Sequence, residues 1–391
     1  MKDNYFRYIP IGVYLLLVFS SLYLSCVFLL IYSVWLINTK DESDNFKSFI
    51  FISGVFIAVA FALISFSLEE ISDFKVYKIL ISDVLNDGVD YNVRGGEFGY
   101  FIIVSLLGVI MNDNSEYVHI SLLVISNVIL FLSLYRLNYK LSIFVFFIIQ
   151  SYFALWINPY LSRQFLSFTI LILTLSIDRK YIKYILYVFA TFIHFSSIIF
   201  LLFILIPSHV MRKRFLLIVL LVSSFILSLI FSLDVLKQIE SYNLVPSFIL
   251  PKINFYFRMY SDGDLGVDFI SLFFISYILY CKFGFKIGSN NLRNEKLVNI
   301  FFLSALLQII TMNIPILPTR ISFFSYYFSM LLIIIINGRD LRFTINGLAH
   351  CIFIVLFLFL SIYKIYINDY LEPWMLISNG NIFGAGLYDF L

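Results

Sequence analysis

Charge is scarce in this 391-residue sequence: Asp, Glu, Lys and Arg together make up 13% of it. A soluble domain needs about twice that share to cover its surface, so an ordinary water-soluble fold is excluded. Cysteine is almost absent as well. Cys26, Cys281 and Cys351 lie in or beside apolar runs without paired or metal-type spacing, which excludes a disulfide framework and a cysteine metal cluster. No Walker-type glycine loop and no His-x-x-x-His pair occurs, so neither an ATP-driven pump nor a zinc protease is indicated. No repeat period and no low-complexity tract is present. A net charge of +3 carries no signal for a nucleic-acid partner. A cleavable signal is not expected either, since the first apolar run, 9–37, is too long for a signal-peptide core and lacks a cleavage site.

What is present is apolar sequence of membrane-spanning length: 61% of the residues are hydrophobic and the mean hydropathy is +0.95. Blocks such as 215–233 and 351–363 are uncharged and apolar apart from scattered serines, so the spans are helices and not alternating barrel strands. The expectation is an all-α, polytopic transmembrane protein, one multi-pass domain over 1–391. Its apolar segments lie near 9–37, 49–67, 98–111, 117–134, 141–157, 165–177, 184–206, 215–233, 267–281, 297–314, 321–337 and 349–366.

Two of these segments do not read as plain crossings. The 98–111 stretch is short, about 21 Å at 1.5 Å per residue against a hydrocarbon core of ~30 Å, and suits an interfacial or re-entrant helix. The 184–206 stretch has Arg179, Lys180 and Lys183 before it and Arg212, Lys213 and Arg214 after it. The positive-inside rule places both flanks in the cytoplasm, which one crossing cannot do. A re-entrant helical pair with its tip at 192–197 can, because polar backbone at membrane depth is tolerated where it lines a cavity. About ten to twelve membrane segments result, with outward loops near 68–97 and 234–266. The cytoplasmic side then receives 16 of the 27 basic residues and 6 of the 24 acidic ones.

Several basic residues are left facing outward beside apolar segments: Arg94, Arg163, Arg258 and Arg320. Boundary arginines commonly snorkel to lipid phosphates. Two positions ask for more. Arg163 sits in the short link 158–164 between two helices, and Arg320 follows the kinked turn 313–319 and opens the next helix, with Tyr326 two turns along. A guanidinium stays charged and donates in a planar fork, so an outward cluster reads as a pyrophosphate clamp. His194 lies inside an apolar run, where an ionisable side chain is expensive unless it faces a cavity; hydrogen-bonded packing and catalysis are both open to it. His119 lacks that setting and reads as interfacial. Glu97 precedes the 98–111 helix and is a possible general base, with Asp90 and Tyr91 just upstream. Asp262-Gly263-Asp264 reads as a turn and not as a metal site.

The strings Gly88-Val89-Asp90-Tyr91, Glu97-Phe98-Gly99-Tyr100, Arg163-Gln164 at the head of a helix, Ala190-Thr191-Phe192-Ile193-His194-Phe195-Ser196, and Arg320 with Tyr326 occur in this order. Taken together they resemble the EpsG-like group of Wzy-type polysaccharide polymerases, over roughly residues 88 to 330. Phe98 stands where that group commonly has Pro, and the residues after Gln164 are bulkier than is usual there. The resemblance implies a GT-C-like, metal-independent membrane glycosyltransferase without a cofactor. It would work on the periplasmic face of the bacterial inner membrane. Donor and acceptor would be oligosaccharide repeat units on undecaprenyl diphosphate, joined into O-antigen or exopolysaccharide; membrane lipid and a chain-length regulator protein are the further partners expected.

Transferred onto these residues, the family's chemistry makes His194, Glu97 and Arg163 the catalytic candidates. Arg320, Arg258, Arg94, Gln164, Asp90, Tyr91, Tyr100 and Tyr326 become candidates for holding diphosphate and glycan. A flippase or other transporter of lipid-linked sugars is the rival of another class, against which stands the lack of two related halves. An O-antigen ligase shares the Arg and His vocabulary and differs in its acceptor.

Overall fold

The structure is a computed structural model that describes residues 21, 24, 25, 27–29, 31, 44–66, 73–87, 98–150, 155–200, 214–230, 292–313, 321 and 356. Among these residues the chain is almost entirely helical, without a strand. Contacts divide the chain into two compact units, one comprising Met1–Tyr91, Gly96–Ser197 and Leu358–Leu391, the other Asn92–Gly95 and Ile198–Phe357.

The first unit is built on two helices of 23 residues, α1 (Asp44–Phe66) and, further along, α4 (Ser115–Leu137). Both are long and apolar enough to cross a membrane, about 34 Å at 1.5 Å per residue. They run antiparallel: Tyr135 near the end of α4 donates its hydroxyl to the Lys47 carbonyl near the start of α1 at 3.3 Å. Gly54 lets them approach closely, since a Cβ there would lie 1.8 Å from the Phe131 ring. The polar residues of α4 largely satisfy themselves. Ser126, Asn127 and Ser133 each donate to the carbonyl one turn back, and of these three Asn127 also reaches across, accepting from Gln150. Asn114 caps α4 by accepting from the Glu116 and Tyr117 amides at 3.0 and 3.1 Å.

Between these two helices the chain departs from the expected loop. Residues 73–87 form a 15-residue helix, α2 (Asp73–Asp87), inside the stretch 68–97. It escapes a search for apolar runs because it is amphipathic: Phe74, Tyr77, Ile81 and Val84 are buried while Lys75, Asp83 and Asn86 are exposed. The short 98–111 segment is α3 (Phe98–Ile110), 13 residues, closed by a turn in which Asn112 and Asp113 take left-handed φ of 52° and 55°.

In the 141–157 segment the described residues give α5 (Ser142–Ile149), with Gln150 continuing at helical φ and ψ, and α6 (Leu155–Tyr160), while 151–154 lie outside the described residues; the expected link 158–164 contracts to Leu161 because α6 runs on through Pro159 to Tyr160. Next comes α7 (Ser162–Ser176), the central helix of the unit, where every residue except Arg163 and Leu173 is buried. α8 (Lys180–Ile193) packs along α7 and ends at the residue before His194, and a single 3-10 turn, Phe195–Ser197, follows. The break expected at 192–197 is therefore present at His194; residues 201–206, which would carry the return leg, lie outside the described residues. α8 shows outward a set of large apolar side chains, among them Tyr184, Ile185, Val188 and Phe192, as a lipid-facing helix does.

In the second unit α9 (Arg214–Ile230) packs on α10 (Leu292–Ile310), and Asn313 just beyond α10 donates its side-chain amide to the Ser228 carbonyl at 2.6 Å. The segments at 267–281 and 349–366, all of 321–337 beyond Ile321, and the loop near 234–266 lie outside the described residues, apart from Leu356.

Candidate functional site

Four of the catalytic and binding candidates fall on described positions: Tyr100, Arg163, Gln164 and His194. All four belong to the first unit. Asp90, Tyr91, Arg94, Glu97, Arg258, Arg320 and Tyr326 lie outside the described residues. His119, read as interfacial, is instead fully buried, with Phe66 and Phe74 edge-on to its ring at 5.8 and 5.2 Å. Burial follows from its helix: α2, through Phe74, covers the end of α4 that the loop reading left open.

Arg163 occupies the first turn of α7. The helix's own hydrogen bonding starts only at the Phe165 amide, which donates to the Leu161 carbonyl at 2.8 Å, and Leu161 provides no side-chain cap. Arg163 thus stands at the start of α7, the positive end of the helix dipole. A guanidinium here adds positive charge to an already positive end, an arrangement unfavourable in isolation and suited to an anion. Gln164 beside it is buried, 5% exposed, while Arg163 is half-buried.

The side chain of Arg163 is held. Its Nε donates to the Tyr77 hydroxyl at 3.2 Å, and its guanidinium carbon stands 5.3 Å from the Tyr77 ring centroid. Tyr77 came from the α2 helix, so reading the segment as a loop hid it. Tyr100, fully buried, packs edge-on to Tyr77 at 6.3 Å, and its hydroxyl shares a hydrogen bond of 3.1 Å with Ser162 Oγ, the neighbour of Arg163.

One turn along the same face of α7, Ser167 ties this helix to the break after α8. Its hydroxyl donates to the Ala190 carbonyl at 2.8 Å and is hydrogen-bonded to Ser197 Oγ. Between those two anchors the chain turns over His194, which is extended at φ −149° and ψ 115°; its amide donates to the Ala190 carbonyl at 3.0 Å, and its carbonyl accepts from Ser197 N at 3.0 Å. The break needs no Gly or Pro, because α7 supplies the hydroxyl that holds the last turn. His194 is half-buried, and the adjacent Ser196 Oγ is buried without a hydrogen-bond partner.

The start of α3 closes the group. Gly99 lies against the Phe192 backbone, where a Cβ would come within 2.9 Å of the Phe192 carbonyl carbon. Phe98 lays its ring on Phe192 at 4.5 Å and 37°. The bulky residues after Gln164, Phe165 and Leu166, are core side chains of α7. Three strings far apart in sequence, around Tyr100, Arg163 and His194, therefore meet at three helix ends. Sequence reasoning missed Tyr77, Ser162 and Ser167 as the residues that join them. Serine at the start of an apolar run was the available signal for Ser162; nothing local marked Tyr77.

Among the described residues no group of three His, Cys, Asp or Glu side chains is placed to hold a metal ion. The family model of the EpsG family matches residues 47–376. No curated protein and no solved structure gives a significant match. The chain belongs to the EpsG family, the family of exopolysaccharide and O-antigen polymerase-like proteins.

Proposed function

We propose that this EpsG-family membrane protein is a glycosyltransferase that polymerises oligosaccharide repeat units carried on undecaprenyl diphosphate, at the periplasmic face of the bacterial inner membrane. The observation that carries this reading is Arg163, oriented by Tyr77 at the positive start of the buried helix α7 and tied through Ser167 to the His194 break. On this reading the start of α7 receives the anionic leaving group and the break at His194 supplies the proton acceptor.

In the reaction an acceptor hydroxyl attacks the anomeric carbon of the donor glycan. The new C–O bond forms as the bond to the diphosphate oxygen breaks, and negative charge develops on the departing undecaprenyl diphosphate. Arg163 and Arg320 hold that charge, with Arg258 and Arg94 contributing to substrate binding, so that arginines take the neutralising role otherwise given to a metal. His194 takes the acceptor proton, Glu97 being the competing base. Gln164, Tyr100, Asp90, Tyr91 and Tyr326 line the glycan and diphosphate path. On this reading the group lies on the outer side of a GT-C-like helical scaffold with ten crossings and a re-entrant pair whose tip is at 192–197, and a chain-length regulator is the expected protein partner.

The test is the glycan profile of cells lacking the protein, backed by purified protein given lipid-linked repeat units in excess chelator. Single repeats on the lipid A core and chelator-resistant polymer formation in vitro support the reading. No repeat at all on the core points to a flippase or ligase and overturns it, and polymer formation that requires added magnesium or manganese removes the arginine clamp as a sufficient account.

A further inference from the structure

Arg163 is long, charged and flexible, and such a side chain loses much rotamer freedom when it binds. Here the freedom is already restricted by a chain of contacts that closes on itself. Ser162 Oγ is hydrogen-bonded to the Tyr100 hydroxyl at 3.1 Å, the Tyr100 ring packs edge-on to Tyr77 at 6.3 Å, and the Tyr77 hydroxyl accepts from Arg163 Nε at 3.2 Å. The circuit begins and ends on adjacent residues of α7 but passes through α3 and α2, so it fixes Arg163 to three helices at once. Tyr100 and Tyr77 are 0% and 7% exposed, which keeps water from competing for these bonds.

The geometry is specific to the guanidinium plane. A hydrogen bond at Nε together with the ring 5.3 Å from the guanidinium carbon restrains the group at two points on Tyr77. Restraint at Nε limits the directions open to the two terminal nitrogens, which form the fork that a phosphate accepts. We propose that Tyr77 is a positioning residue, holding the Arg163 guanidinium in the orientation that binds the diphosphate of the lipid-linked substrate. The inference rests on the reading of Arg163 as a diphosphate ligand. Tyr77 itself need not touch the substrate. It acts by preorganisation, so its loss should appear in affinity for the diphosphate and only while Arg163 is there to be aimed.

The experiment measures the dissociation constant of undecaprenyl diphosphate for the full-length protein in nanodiscs. The variants are wild type, Tyr77→Phe, Arg163→Ala, Arg163→Lys, and Tyr77→Phe combined with each arginine variant. Tyr77→Phe keeps the ring and its contact with Tyr100 and removes only the hydroxyl. It should weaken binding about tenfold, the effect of one hydrogen bond to a charged group. In either Arg163 background the same change should have no further effect, because Lys has no Nε donor and Ala has no cation. Tyr77→Phe binding within twofold of wild type overturns the proposal. So does an equal loss with and without Arg163, which would make Tyr77 a general packing residue. Arg163→Ala binding as tightly as wild type is a separate result, read in a separate variant, and it removes the diphosphate role of Arg163 and with it the basis of the proposal.

Discussion

Replacing Gly99 by Ala tests whether the meeting of α3 and α8 positions the site. The added Cβ would lie 2.9 Å from the Phe192 carbonyl carbon and 3.0 Å from both its oxygen and its Cβ, where ordinary contact begins at 3.4 Å. Two of the three opposing atoms are backbone, so no rotamer change relieves the overlap and α3 must retreat by about half an ångström. Overpacking of this kind costs about 1–3 kcal/mol. The retreat also carries Tyr100, the next residue, away from Ser162 on α7, to which it is hydrogen-bonded at 3.1 Å. A 1 Å misplacement can lower a rate by 10²-fold, so half of that should cost roughly tenfold. The assay is polymer formed per folded molecule, with the folded fraction measured by gel filtration of the solubilised protein. Gly54→Ala is the comparison, since its Cβ would meet the Phe131 ring at 1.8 Å, between α1 and α4 and away from the site. It should lower the melting temperature at least as much while leaving the rate per folded molecule unchanged. If Gly99→Ala polymerises at the wild-type rate per folded molecule, the approach of α3 to α8 is packing alone and the positional argument is wrong.

Other expectations follow from the same arrangement. Arg163→Lys and Arg163→Ala should both depress polymerisation strongly, as should the same pair at Arg320, because Lys keeps the charge and loses the planar fork; near-normal polymer from the Lys variants would mean that these side chains only snorkel. His194→Ala should cost on the order of 10²- to 10⁴-fold in rate at unchanged membrane level if His194 takes the acceptor proton, and Glu97→Gln is the parallel test of the competing base. Full-length polymer from His194→Ala would return His194 to packing. Cysteines introduced near Arg179 and Lys213 should both be protected from an impermeant label in intact cells; labelling near Lys213 from outside would make 184–206 a simple crossing.

The membrane class and the helical secondary structure were readable in the sequence because they depend on composition and on run length, both of which are local. The break at His194 was readable for a related reason: matching basic flanks at 179–183 and 212–214 conflict with a plain span, and the conflict has to be resolved somewhere between them. What failed was recognition of helices that do not follow the apolar-run rule. α2 is amphipathic, with buried positions at 74, 77, 81 and 84, and its polar face lowers its mean hydropathy below that of a span. Gln150, at the end of α5, donates to Asn127 on another helix, a partner 23 residues earlier that no local pattern indicates.

The same distinction separates the parts of the candidate site. Gly99, Arg163 and His194 each stand at a helix terminus: the start of α3, the start of α7 and the end of α8. Within an apolar environment a helix satisfies its own backbone everywhere except at its ends. Polar chemistry therefore gathers at those ends, and the boundaries of apolar runs direct attention to the right residues. Which ends meet is set by side chains that cross between helices, Ser167 to Ala190 over 23 residues and Arg163 to Tyr77 over 86. A tyrosine on an amphipathic helix and a serine one turn into a buried one are ordinary where they stand. They become informative only when the fold sets them against Arg163 and the His194 break, which is why the candidate residues could be named from the sequence and the contacts that orient them could not.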